Sequence, residues 1–122
     1  MKRPEQELQI AVARFLTVAL PDLVWFAIPN GGYRTKAEAG IMKATGTRKG
    51  APDIGFVLPH GAAGFIELKA PKGRLSPEQA AFRDSLPPGA LWAEARSVIE
   101  VQDILERWLT PFGWNLRARV SA

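Results

Sequence analysis

Two short apolar runs limit the folds open to this chain more than any other feature. "IGFVL" at 54–58 and "FIELK" at 65–69 are separated by the six residues "PHGAAG". Runs of five β-formers around a Pro/Gly-rich connection read as a β-hairpin. Three charges interrupt them: Asp53 just ahead of the first run, and Glu67 and Lys69 within the second. Side chains on a strand alternate between faces, so Glu67 and Lys69 share one face while Ile66 and Leu68 take the other. The hairpin can then bring Asp53 beside Glu67.

The flanking sequence supplies the remaining elements. From residue 4 to 20, Leu8, Val12, Phe15, Leu16 and Ala19 recur at helical spacing, and Pro21 ends the run. "LVWFAI" at 23–28 reads as a buried strand, and "PNGG" after it as a turn. "TKAEAGIMKAT" from Thr35 reads as a short helix weakened by Gly40. Ser76-Pro77-Glu78-Gln79 carries a capping hydroxyl, a proline at the first helical position and a glutamine three residues after the cap. Ser97-Val98-Ile99-Glu100 repeats that pattern and opens a helix with Val101, Ile104, Leu105, Trp108 and Leu109 on its apolar side. "ALWAEA" at 90–95 is the last expected strand. The order is helix, strand, helix, two-stranded hairpin, helix, strand, helix. It specifies an α/β domain with a small mixed β-sheet flanked by helices on both faces.

At 122 residues, one core is expected and no linker divides the chain. No apolar run is long enough to span a bilayer, and the Met1 end lacks a signal-peptide pattern. The absence of cysteine excludes disulfides and thiolate metal sites and agrees with a cytoplasmic setting. Sixteen Lys and Arg against twelve Asp and Glu leave a net charge of +4, which permits a polyanionic partner without requiring one. Arg34, Lys36, Lys43, Arg48 and Lys49 fall in one segment, and Lys72 and Arg74 follow the second apolar run.

Two carboxylates converging at a strand end repel each other unless a cation lies between them. Hard oxygen ligands suit Mg²⁺ or Mn²⁺, which take one or two protein carboxylates and keep several waters. The carbonyl of Leu68 is a further candidate oxygen. A nearby lysine can orient or deprotonate water and offset the charge of a phosphate. A lone Glu-x-Lys is most often a surface ion pair; here Asp53, a strand, a hairpin turn and "ELK" come in order, with 13 residues between Asp53 and Glu67.

"EQELQ", "IPNGG", "GAPDI", "FIELK" and "KGRLSPEQ", in that order over residues 5–109, resemble the VRR-NUC (virus-type replication-repair nuclease) family of the PD-(D/E)XK superfamily. The resemblance implies a PD-(D/E)XK, restriction-endonuclease-like core acting as a metal-dependent DNA phosphodiesterase. On it, Asp53 and Glu67 match the metal-binding acids, with the Leu68 carbonyl beside them. Lys69 matches the catalytic lysine, Gln79 the glutamine on the following helix, and Glu5 the early glutamate that contacts the metal or its water. Glu5, rather than Glu7, is the match because it shares a helix face with Gln9. The basic residues, with Asn30 at the rim, become phosphate contacts. Viral and phage members are often stand-alone domains. The resemblance suggests branched DNA as substrate, Holliday junctions included, cut by a homodimer.

Two other readings remain on the residues alone. One is a catalytically idle DNA-binding module, which the intact Asp53, Glu67 and Lys69 disfavour. The other is a small sequence-specific restriction-type nuclease, for which little chain is left to build base-reading loops. His60, the one histidine, reads as a turn residue. Residues 1–110 are expected to form the nuclease domain and 111–122 a tail or extension, in which Arg117 and Arg119 read as a solvated end in preference to a disordered basic tail that touches DNA. Trp114 is a candidate for a dimer contact.

Overall fold

The computed structural model describes residues 4–29 and 35–121. Helix α1 (Pro4–Ala19) leads to strand β1 (Val24–Ala27) and helix α2 (Lys36–Ala44). Strands β2 (Ile54–Val57) and β3 (Ala63–Leu68) form the expected hairpin around a 3₁₀ turn, Pro59–Gly61. Helix α3 (Pro77–Asp84), strand β4 (Leu91–Ala95), helix α4 (Val98–Leu109) and a second 3₁₀ turn, Thr110–Phe112, complete the order. The four strands lie side by side as β1-β2-β3-β4. β1, β2 and β3 pair antiparallel, and β4 pairs with β3 in parallel after the crossover through α3.

Alternation along the strands sorts the sheet into two faces. Ile54 and Phe56 of β2 and Ile66 and Leu68 of β3 are buried in one core with Val12 and Leu16 of α1 and Val101, Ile104, Leu105 and Leu109 of α4. The Phe56 ring meets Trp108 edge-on, with centroids 6.1 Å apart. On the opposite face Phe65 meets Phe82 of α3 edge-on at 5.4 Å, so helices cover both faces as expected.

β1 departs from the expectation of a buried strand. Val24 and Phe26 are exposed, at 60% and 48%. β1 is an edge strand, and the helix that follows it, α2, buries none of its residues. A run of six apolar residues therefore buries only one of its faces here.

Capping explains why α2 and α3 start where they do. The Thr35 hydroxyl accepts from the Glu38 N–H. At α3 the reciprocal box forms: Ser76 Oγ accepts from the Gln79 N–H and Gln79 Oε1 from the Ser76 N–H. At α4 the expected box is only half made. Ser97 Oγ accepts from the Glu100 N–H, but the Glu100 carboxylate reaches one residue further back, to the Arg96 N–H at 2.8 Å.

The loop before Asp53 is locked to α3 at Gly50. Its φ is +91°, and a Cβ there would lie 2.4 Å from the Glu78 carbonyl oxygen. Gly50→Ala combines a left-handed backbone with a clash against helix backbone, and is expected to destabilise the domain by about 2 kcal/mol or more in urea unfolding. An unchanged midpoint would show that this loop does not seat on α3.

The stretch after the second 3₁₀ turn has no regular structure, yet it is tied down. The Arg117 N–H donates to the Ala19 carbonyl, at the end of α1, and its guanidinium pairs with Asp22. Val120 and the buried Gln102 of α4 exchange two hydrogen bonds. Arg119 pairs with Glu106. Trp114, Leu116 and Ala118 pack on the core. Arg117 and Arg119 thus act in ion pairs that strap α1 and α4, in place of the free solvated end expected, and Trp114 covers the chain's own core.

Candidate active site

Asp53 stands one residue before β2 and Glu67 one before the end of β3. Asp53 is fixed from below: one carboxylate oxygen accepts from the Leu68 N–H at 2.7 Å. Glu67 is 3% exposed, and among the described residues its Oε1 has no hydrogen-bond partner. A buried carboxylate without donors is costly unless it is protonated or a cation reaches it. Burial is the largest influence on Glu67, contact with the Asp53 carboxylate and its negative charge add to it, and together they push the Glu67 acid up to about 9. Lys69 acts in the opposite direction, and Glu5 adds slightly to the rise.

Lys69 is itself buried, at 8% exposure, and its N–H donates to the Ala95 carbonyl at 3.0 Å. Its ammonium lies 3.9 Å from Glu5 Oε1, in the first turn of α1. The end of β3 therefore collects Asp53, Glu67, Lys69 and Glu5. Asp53, Glu67 and Lys69 belong to the hairpin read from the sequence, and Glu5, not Glu7, pairs with the lysine.

The other expected residues are more dispersed. Gln79 Oε1 is engaged in the α3 cap, and no hydrogen bond joins Gln79 to Lys69 among the described residues; its amide NH₂ alone remains for a substrate. Lys49 pairs with Glu78 at 3.2 Å, and the Arg48 guanidinium lies over the Phe82 ring at 5.1 Å. Lys36, Lys43, Lys72 and Arg74 are exposed and make no ion pair with a described residue. Asn30 and Arg34 lie outside the described residues. His60 is an exposed turn residue with φ +67°, its ring 5.0 Å from that of Phe112.

Sequence reading passed over Glu94 and Arg96. In the β3–β4 register Glu94 is the partner of Glu67, and its carboxylate pairs with Arg96 at 2.5 Å. The signal was present: alternation in "LWAEA" gives the last expected strand a charged position on the face that Glu67 occupies.

Among the described residues no three His, Cys, Asp or Glu side chains form a metal-holding group. The protein's contribution would be the Asp53–Glu67 pair and backbone oxygen. That donor set fits a hard divalent ion that keeps much of its water, and the unpartnered Glu67 oxygen is where such a ion would be satisfied.

No protein-family model matches the chain, and a search of curated proteins finds no match. Among solved structures, one described as "VRR_NUC domain protein" superposes with a TM-score of 0.68 at 18% identity, covering 90% of this chain and 91% of that one. Another, "VRR_NUC domain", gives 0.56 at 20% identity over 88% of this chain and 99% of that one. With its mixed four-stranded sheet and four helices, the chain shares the α/β fold of these two structures described as VRR_NUC domains.

Proposed function

We propose that the protein is a Mg²⁺- or Mn²⁺-dependent endonuclease that hydrolyses DNA phosphodiester bonds. The observation that carries this reading is the buried Glu67 oxygen left without a partner beside Asp53, on the strand end where Lys69 and Glu5 meet. The fold shared with proteins named for a nuclease domain supports it.

When bound, the divalent ion would neutralise charge on the phosphate and make water a better nucleophile. Asp53, steadied by the Leu68 N–H, and Glu67 would hold it, with the Leu68 carbonyl. Lys69 would sit against the attacked phosphate, orienting water and offsetting negative charge as it builds up. Glu5, whose carboxylate lies 3.9 Å from the Lys69 ammonium, would support the ion or its water. Gln79 would offer its amide NH₂ to a phosphate oxygen, and Lys72, Arg74, Lys36, Lys43, Arg48 and Lys49 would contact the backbone more widely. In-line attack would leave 5′-phosphate and 3′-hydroxyl ends. Branched DNA is the proposed substrate class, and a homodimer the proposed working unit, since one domain has one site and two strands are cut.

The test is incubation with a four-way junction, a flap and a linear duplex, each with Mg²⁺, Mn²⁺ or EDTA. Cutting of the branched substrates with either ion and none in EDTA is expected. Binding without cutting under every condition would replace this reading with a DNA-binding module, and cutting of linear duplex at one sequence with a restriction-type enzyme. Sedimentation of the free protein reads the homodimer.

A further inference from the structure

Resting on the proposed nuclease reading, we infer that Arg96 is a positioning residue for Lys69. Lys69 follows the last residue of β3, and the chain turns at once through Ala70 and Pro71, whose carbonyls both accept from Arg96. The Arg96 guanidinium spans the gap. Nη1 donates to the Ala70 carbonyl at 2.6 Å and the Pro71 carbonyl at 3.2 Å, while Nη2 donates to Glu94 Oε2 at 2.5 Å. The Ala70 carbonyl also accepts from the Gly73 N–H at 2.9 Å, so the same atom closes the turn and anchors it.

Arg96 is held in place at its own end. Its N–H donates to the Glu100 carboxylate, at the first turn of α4, and the preceding carbonyl, Ala95, accepts from the Lys69 N–H. Lys69 is thus bracketed: its own amide is bound to β4, and the two residues after it are bound to the arginine that follows β4. Planar guanidinium geometry is what allows one side chain to serve two carbonyls and a carboxylate together; a lysine ammonium is a point donor and cannot span them. Positioning matters because misplacement of a catalytic group by about 1 Å can cost 10²-fold in rate.

The experiment compares Arg96→Gln, Arg96→Lys and Glu94→Gln with the parent in single-turnover cleavage at saturating junction DNA, in DNA binding, and in amide hydrogen exchange at Lys69 and Gly73. Both Arg96 variants are expected to cut roughly tenfold or more slowly with DNA affinity within about twofold of the parent, and to exchange the Lys69 and Gly73 amides about tenfold faster. Glu94→Gln, which leaves both carbonyl bonds, should stay within about threefold of the parent rate. Full rescue by Arg96→Lys, a loss confined to DNA affinity, or unchanged exchange at Lys69 and Gly73 would each overturn the inference. The exchange measurement needs no cleavage, so a parent protein that cuts nothing overturns the nuclease reading and leaves this one to be judged on exchange alone.

Discussion

Lys69→Ala should reduce single-turnover cleavage by about 10³-fold or more, equivalent to about 4 kcal/mol of transition-state stabilisation, while DNA binding changes by no more than a few-fold. The expectation follows from placement. Lys69 is the cation of the cluster: its ammonium is buried, it faces Glu5, and it opposes the forces that keep Glu67 protonated. Removing it takes away the cation that opposes the rise of Glu67 and leaves Asp53 and Glu67 with less compensating charge. Lys69→Arg divides the two roles of the residue, because a guanidinium keeps the charge but does not give up a proton. Recovery of most of the rate in Lys69→Arg would assign Lys69 to charge alone; cutting by Lys69→Ala at the parental rate would remove Lys69 from the site.

The second large effect is on stability and runs opposite to the usual behaviour of a paired carboxylate. Glu67 has a folded value pushed up to about 9 from an ordinary 4.5, so between those values the folded, metal-free protein holds a proton that the unfolded chain has released. Its contribution is fully present below about pH 4.5 and is lost as pH rises towards 9. The metal-free protein should therefore melt roughly 10 °C lower at pH 8.5 than at pH 5.5. Glu78, lowered first by a backbone hydrogen bond and then by Lys49, and Asp84, lowered by the hydrogen bond it accepts from Arg83, act below that window and do not mask it. Glu67→Gln should flatten the fall, raise the melting temperature at pH 8.5 and abolish cleavage. Mg²⁺ or Mn²⁺ should stabilise the parent most at alkaline pH and leave Glu67→Gln unmoved. A parent melting curve independent of pH over this range would remove the buried acid from the account; stabilisation of Glu67→Gln equal to the parent's would place the ion elsewhere.

The hairpin and its charged residues were legible because strand alternation is a strict rule: once "FIELK" is a strand, Glu67 and Lys69 must share a face. The cap at Ser76 was legible for a similar reason, since capping chemistry lies within four residues. What was hidden depends on distant neighbours. "LVWFAI" reads the same whether a second layer covers it or not, and only the position of β1 at the sheet edge leaves Val24 and Phe26 in solvent. The pattern at Ser97 reads as a complete box, yet Glu100 bonds Arg96 instead. The segment after Leu109 has no periodicity to read, because its hold on the domain comes from backbone groups of Ala19 and Val120 and from the side chain of Gln102.

The strap across α1 and α4 has a consequence in time. A ribosome delivers α1 first, but the helix it leans on, α4, and the residues that tie down its end come about a hundred residues later. Until they emerge, the apolar stripe of α1 has no finished seat, and Glu5 is not held opposite Lys69. The acids of the hairpin can assemble mid-synthesis, whereas the lysine gains its partner only when the last helix has folded back. A nascent chain built this way completes the Glu5–Lys69 pair later than the Asp53–Glu67 pair.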